Sequence, residues 1–203
     1  MKVIFWDVDS QIDFMEPAGK LYVPGAEEIR LNLAYLTNMG LGVRLSGSVD
    51  AHVPDDPEFV EWLEHCVYGT PGQLKIQDSS AEDILFVPST RLSSEQLAEV
   101  AAFEGQVIFE KQDTDVSSNP NVKPFMDLIE PDLVVVYGVV TEICVNHTVN
   151  FFAGDLGYKT VVVVDAVKEL DPSEADLCQA GWKALGVKMV KTSSVYSMLG
   201  NPA

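Results

Sequence analysis

The chain is poor in cysteine, in histidine and in positive charge. Its 203 residues hold three cysteines and three histidines, and 13 Lys+Arg stand against 31 Asp+Glu, a formal net charge of −18. Cys66, Cys144 and Cys178 make an odd count with no paired spacing, which argues against a disulfide framework and for a reducing compartment. The acidic excess argues against nucleic acid or an anionic membrane as partner, since both reward basic patches. It reads instead as a solvated surface that aids solubility. No apolar run approaches the length of a membrane span, and the opening Met1-Lys-Val-Ile-Phe-Trp-Asp7 is charged too early for a secretory leader. A cytoplasmic protein is the expectation. Nor is there an internal repeat, low-complexity tract or linker, so residues 1–203 are expected to form a single domain.

What is present alternates between strand-like and helix-like patterns. Lys2-Val-Ile-Phe-Trp6 predicts a central strand that breaks into acids at Asp7 and Asp9. Further strands are expected at 42–45 running on to Asp50, at 84–87 on an edge, at 106–110 ending at Lys111, and at 134–136, 159–164 and 187–190. Between them, Ile29, Leu33 and Leu36 recur at helical spacing before a stop at Gly40, and Ser93 with Gln96 forms a capping box for a helix through about Phe103. Asn119-Pro120 starts another helix, one runs from Thr141 to Gly157, and Asp171-Pro172 with Glu174 caps one that ends at Gly186. Strands alternating with helices predict an α/β fold: a three-layer α/β/α sandwich with a mostly parallel open sheet, Rossmann-like in plan.

In such sheets ligands bind outside the carboxyl ends of the strands. Asp7 and Asp9, Asp50 and His52, Lys111, and Cys144 follow four separate strands. Val136-Tyr-Gly-Val-Val-Thr-Glu-Ile-Cys-Val145 turns at Gly138 and opens a helix with Thr141 in the capping position. Cys144 then falls in the first turn, where unpaired N–H groups and the helix dipole favour a thiolate. A lone cysteine is more often a small buried apolar residue, and the stretch alone supports either reading. A cysteine nucleophile wants a base and a cation, which Asp9 and Lys111 are placed to supply. Asp50, His52 and His65 suit a divalent metal with carboxylate and imidazole ligands, and two of the three histidines lie in one long loop. That loop, from Asp50 to about Asp83, carries no long periodic pattern and is interrupted by Pro54, Pro57, Gly69, Pro71 and Gly72.

Val8-Asp-Ser-Gln-Ile-Asp-Phe14 resembles the opening motif of the isochorismatase-like cysteine hydrolases, and Gly19-Lys-Leu-Tyr-Val-Pro-Gly-Ala-Glu-Glu-Ile29 continues the likeness. Asp50-Ala-His52 and His65-Cys-Val-Tyr-Gly-Thr-Pro-Gly72 resemble the nicotinamidase branch, and Gly138-Val-Val-Thr-Glu-Ile-Cys-Val145 the nucleophile motif. The resemblance implies a triad of Asp9, Lys111 and Cys144, a cis peptide between Val140 and Thr141, and an oxyanion hole from the N–H groups of Val140 and Cys144. It implies Phe14 and Trp62 as walls for a flat ring. The metal would be one divalent ion, zinc first, with iron or manganese as alternatives. Nicotinamidases commonly place a further histidine between His52 and His65. Here Glu58 is taken as the substitute ligand, with Asp55, Asp56, Glu61 and Glu64 as rivals. A second departure, Gln112-Asp-Thr-Asp-Val-Ser-Ser-Asn119, bears on the substrate more than on the reaction. His147 is given a structural role, and Cys66 and Cys178 are expected to be buried and inert.

The implied activity is hydrolysis of nicotinamide to nicotinate and ammonia through a cysteine thioester. The alternatives are a family hydrolase acting on another small amide, carbamoyl or vinyl-ether substrate, and a catalytically silent binding protein. The implied partner is the small amide itself. A homo-oligomer is compatible with the resemblance, although no stretch reads as an interface.

Overall fold

The computed structural model describes residues 1–39 and 42–199, so the helix stop expected at Gly40 lies outside the described residues. Seven strands, β1 (Val3–Val8), β2 (Arg44–Asp50), β3 (Ile84–Val87), β4 (Gln106–Lys111), β5 (Leu133–Val139), β6 (Thr160–Lys168) and β7 (Lys188–Val190), pair in the order β3-β4-β2-β1-β5-β6-β7. Every pairing between them is parallel. β1 lies in the middle, and the strand order reverses beside it, between β1 and β5, where open α/β sheets place their ligands.

Alternating side chains send the central strands' bulk to both faces, so both need cover. Ile4, Trp6 and Val8 of β1 point to one face with Val107, Phe109, Val134 and Val136. There α3 (Ser94–Ala102), α4 (Val122–Ile129), the helical segment 141–155 and α6 (Pro172–Ala184) close over them through Leu97, Phe125, Phe152 and Trp182. Phe5, Val135, Tyr137, Val161 and Val163 face the other way, beneath α1 (Ile12–Met15), α2 (Arg30–Thr37) and α7 (Thr192–Met198). This is the three-layer α/β sandwich expected from the pattern. In 141–155, α5 (Asn146–Val149) is flanked by two wider, π-type turns, Thr141–Val145 and Asn150–Asp155.

Local chemistry sets several boundaries. Ser93 and Gln96 exchange both hydrogen bonds of a capping box at the start of α3. Asp171 accepts from the N–H groups of Ser173 and Glu174 at the start of α6. Two expectations shift. β6 runs to Lys168, longer than the valine run suggested, because Val167 and Lys168 resume pairing with β5 after an irregularity. The helix expected from Asn119-Pro120 begins only at Val122, after a short 3₁₀ turn at Val116–Ser118, because the Asn119 amide is held by the carbonyls of Val87, Pro88 and Glu110.

Candidate active site

Four strand ends meet at one point. Asp9 follows β1 in the left-handed backbone region (φ 47°), Asp50 and Lys111 are the last residues of β2 and β4, and Cys144 sits in the turn after β5. Asp50 and Lys111 are also register partners on neighbouring strands, so their side chains leave the sheet on the same side. The Lys111 ammonium, 1% exposed, lies 2.9 Å from Asp9 Oδ2 and 3.9 Å from Cys144 Sγ, and it donates to Asp50 Oδ1. The other oxygen of Asp9 accepts from Ser48 Oγ at 2.7 Å. Acid, cation and thiol thus share one buried contact.

The electrostatics refine the expectation for Cys144. Burial pushes the thiol well above its ordinary range, and Asp9 and Asp50 add to this, while Lys111 pulls down. Burial and the two carboxylates thus act against the helix terminus, toward the thiol form. Burial also raises Asp9 against the pull of Lys111, whereas Lys111 and the two histidines hold Asp50 well below the usual carboxylate range despite its burial. Of the two carboxylates on Lys111, Asp9 is the one whose protonated form its surroundings favour.

The turn after β5 differs from expectation by one residue. The cis peptide lies between Val139 and Val140, not between Val140 and Thr141. The reason is strand register: Val139 still pairs with Lys168, so the chain turns directly after it and Val140 becomes the residue before the helix. Thr141 is accordingly the first helical residue, not the cap, and its buried Oγ1 has no hydrogen-bond partner. The Val140 carbonyl accepts from both Ile143 and Val145. Among the described residues, the N–H groups of Val140 and Cys144 donate to nothing outside their own element. Gly138 is required just before this turn: at φ 116° a Cβ would lie 2.1 Å from the Val8 carbonyl oxygen.

Beside Lys111, Asp50, His52 and His65 are buried with ligand atoms within 4.8 Å of one another. A bridge from His52 to Val67, with His52 N–H on the Cys66 carbonyl at 3.1 Å, folds the middle of the long loop back beside its start. The His65 ring places Nδ1 2.7 Å from the Leu63 carbonyl and Nε2 3.7 Å from Asp50 Oδ2. His52 sets Nε2 3.9 Å from the same oxygen, and neither of its ring nitrogens has a hydrogen-bond partner although the side chain is fully buried. With Asp56 Oδ2 beside Nδ1, the buried Nε2 is left bare, facing a carboxylate and a second imidazole, which fits a divalent cation. Glu58, taken as a further ligand, does not join that group: it is half-buried on the adjoining 3₁₀ turn, Pro57–Val60, and lines the mouth of the cleft.

The cleft is narrow, with about 30 Å³ open to a water-sized molecule. Cys144, Asp50 and His65 form its floor. Phe14, Trp62, Val139, Val140, Ile143 and Leu170 supply apolar walls, and Thr114 comes from the segment after Lys111. Phe14 packs on His65 with ring centroids 5.3 Å apart.

Three residues that sequence reasoning left without a role also belong here. Gln11 accepts from the Asp50 N–H at 2.7 Å and donates to the carbonyls of Asp50 and Gln73, which fixes the strand end that carries Asp50. Buried Asp13 accepts from the Cys66 N–H at 2.7 Å, next to His65. Both stand in the opening motif, where the signal lay. Phe59, beside Glu58, packs against both histidine rings at 5.2 and 5.7 Å, and nothing in its spacing marked it. Cys66 is buried and its thiol is pushed far up by burial, whereas Cys178 on α6 is only partly buried, packed against the edge of the core near the Glu142 carbonyl.

The isochorismatase domain matches residues 58–193, more than half of the chain. The chain belongs to the isochorismatase family. This is a family of hydrolases, and the matched span includes Lys111 and Cys144. No curated protein is similar enough in sequence to match. Among solved structures, a nicotinamidase from Bacillus subtilis is similar at 21% identity and TM-score 0.76, covering 94% of this chain and 100% of its own. A pyrazinamidase of Pyrococcus horikoshii in complex with zinc is similar at 23% and 0.73, covering 94% and 99%. An N-carbamoylsarcosine amidase from Thermoplasma acidophilum is similar at 24% and 0.70, covering 96% and 99%. At these identities the likeness is one of fold. No helix among the described residues is long and apolar enough to cross a membrane.

Proposed function

We propose that this isochorismatase-family hydrolase is a metal-containing cysteine amidohydrolase of the nicotinamidase type, converting nicotinamide to nicotinate and ammonia. One observation carries the reading: a single buried ammonium lies 2.9 Å from an acid and 3.9 Å from a thiol that itself lines an apolar cleft.

The residues divide the work as follows. Asp9 accepts the Cys144 proton as the sulfur attacks the amide carbon, and Lys111 stabilises the sulfur's negative charge. The N–H groups of Val140 and Cys144 receive the tetrahedral oxyanion. The C–N bond breaks as Asp9 passes its proton to the leaving ammonia, and a thioester on Cys144 remains. Water, giving its proton to Asp9, attacks that thioester. The C–S bond then breaks, the acid departs, and the proton returns to sulfur. Phe14 and Trp62 sandwich the flat ring and keep water from it. A divalent ion held by Asp50, His52 and His65 would supply a coordination point for the ring nitrogen and so orient the carboxamide, with Glu58 on the adjoining turn. Zinc suits the imidazole and carboxylate donors, with iron or manganese as alternatives. The setting proposed is the cytoplasm, in keeping with three free cysteines.

Thr114 favours a second reading, the same chemistry on another small amide, because it brings the segment unlike that of nicotinamidases into the cleft wall. Ammonia release from a panel of amides separates the two. Nicotinamide turned over, and lost in Cys144→Ala, supports the first. Turnover of another amide alone supports the second, and activity retained in Cys144→Ala defeats the mechanism.

A further inference from the structure

Asp56 is 8% exposed although residues 53–55 and Pro57 beside it are open to solvent, and a carboxylate this buried needs partners. It has two, in different elements. Its Oδ1 accepts from the Glu58 N–H at 3.0 Å and so caps the 3₁₀ turn Pro57–Val60. Its Oδ2 lies 3.1 Å from His52 Nδ1, off the line of a straight hydrogen bond. The opposite ring nitrogen, Nε2, faces Asp50. His65 is arranged alike, with Nδ1 on the Leu63 carbonyl and Nε2 toward Asp50.

An imidazole binds a cation through a bare nitrogen, and which nitrogen is bare depends on where the other sends its proton. A carboxylate at Nδ1 holds the proton there and leaves the Nε2 lone pair toward Asp50. We infer that Asp56 is a positioning residue of the metal centre: it fixes the tautomer and tilt of His52 and, through the cap, the turn that carries Glu58. One side chain thereby ties the His52 ring to the turn that carries Glu58, six residues on. The inference rests on reading Asp50, His52 and His65 as the ion site, and Asp56 itself stays outside the group of ligand atoms.

Asp56→Asn separates the two duties, since asparagine caps a turn about as well as aspartate but offers His52 no anion. Zinc affinity, measured by competition with a chromophoric chelator, should fall about 10–100-fold in Asp56→Asn, while the urea midpoint of the metal-free protein stays at the wild-type value. Asp56→Ala should lose both affinity and midpoint. In a His52→Ala background, Asp56→Asn should weaken zinc by less than about twofold more, because its effect runs through that ring. Wild-type affinity in Asp56→Asn, or a full additive loss in the double variant, overturns the inference. A wild-type protein that takes up no zinc removes the ion site and the inference with it.

Discussion

Replacing Lys111 with methionine keeps the aliphatic stem and deletes the charge, so it isolates what the ammonium does. At 2.9 Å from Asp9 and an effective dielectric of about 20, its attraction for an ionised carboxylate is about 6 kcal/mol. At 3.9 Å from Cys144 the same arithmetic gives about 4 kcal/mol for a thiolate, or roughly a thousand-fold in rate if that attraction is expressed in the transition state. Burying an ammonium has its own cost, so the net loss of stability is about 3–5 kcal/mol, the range for stranding the partners of a buried ion pair. Asp9, already raised by burial, can shed part of this by taking up a proton. Two assays then give different answers. Urea denaturation should show Lys111→Met destabilised, with Lys111→Met/Asp9→Asn recovering at least about 1 kcal/mol, because one stranded carboxylate is gone. Ammonia release should stay about a thousand-fold or more below wild type in both. Wild-type stability in the single variant, or activity within tenfold of wild type, would refute the assignment of Lys111 as the shared cation.

Cys144→Ala should abolish ammonia release and change the urea free energy by no more than about 1 kcal/mol, since the side chain is small. Gln11→Met, close in size, strands the Asp50 N–H and two carbonyls. It should cost about 2–4 kcal/mol by urea denaturation and lower zinc affinity in chelator competition. Gly138→Ala should be destabilised by more than about 3 kcal/mol, or fail to fold, because its Cβ meets the backbone of β1 at a φ that alanine resists; circular-dichroism melting checks it. Removing metal with a chelator should abolish turnover of nicotinamide, with zinc restoring it; unchanged turnover in demonstrably metal-free protein would count against the assignment.

What could be read from residue order was whatever is written locally. The valine runs of β5 and β6, the Ser93–Gln96 box and the Asp171 cap each rest on neighbours within a few positions, and each lies where expected, if not always to its full length. Polar residues at four strand ends became a meeting of Asp9, Lys111, Asp50 and Cys144 because parallel strands carry their carboxyl ends to one edge. Illegible were features decided by distant partners. The position of the bend after β5 depends on how far Val139 pairs with Lys168. The ionisation of Cys144 depends on how deeply it is buried beside Asp9 and Asp50, which no helix-terminus argument contains. Glu58 matched by spacing but is held on a turn whose orientation Asp56 and His52 settle together. Helix α7 left no expectation, its seven residues being short and weakly patterned.

Part of the cleft wall has a different origin from its floor. Leu21 and Val23, Thr114, and Leu170 arrive on three connecting segments, none of which bears Asp9, Lys111 or Cys144. Shape and reactivity are thus separable by inheritance: drift in those connectors can change which amide fits while the bond-breaking apparatus passes on intact. Grafting connectors between relatives is then the direct route to a new substrate range, and mutating the strand ends is not.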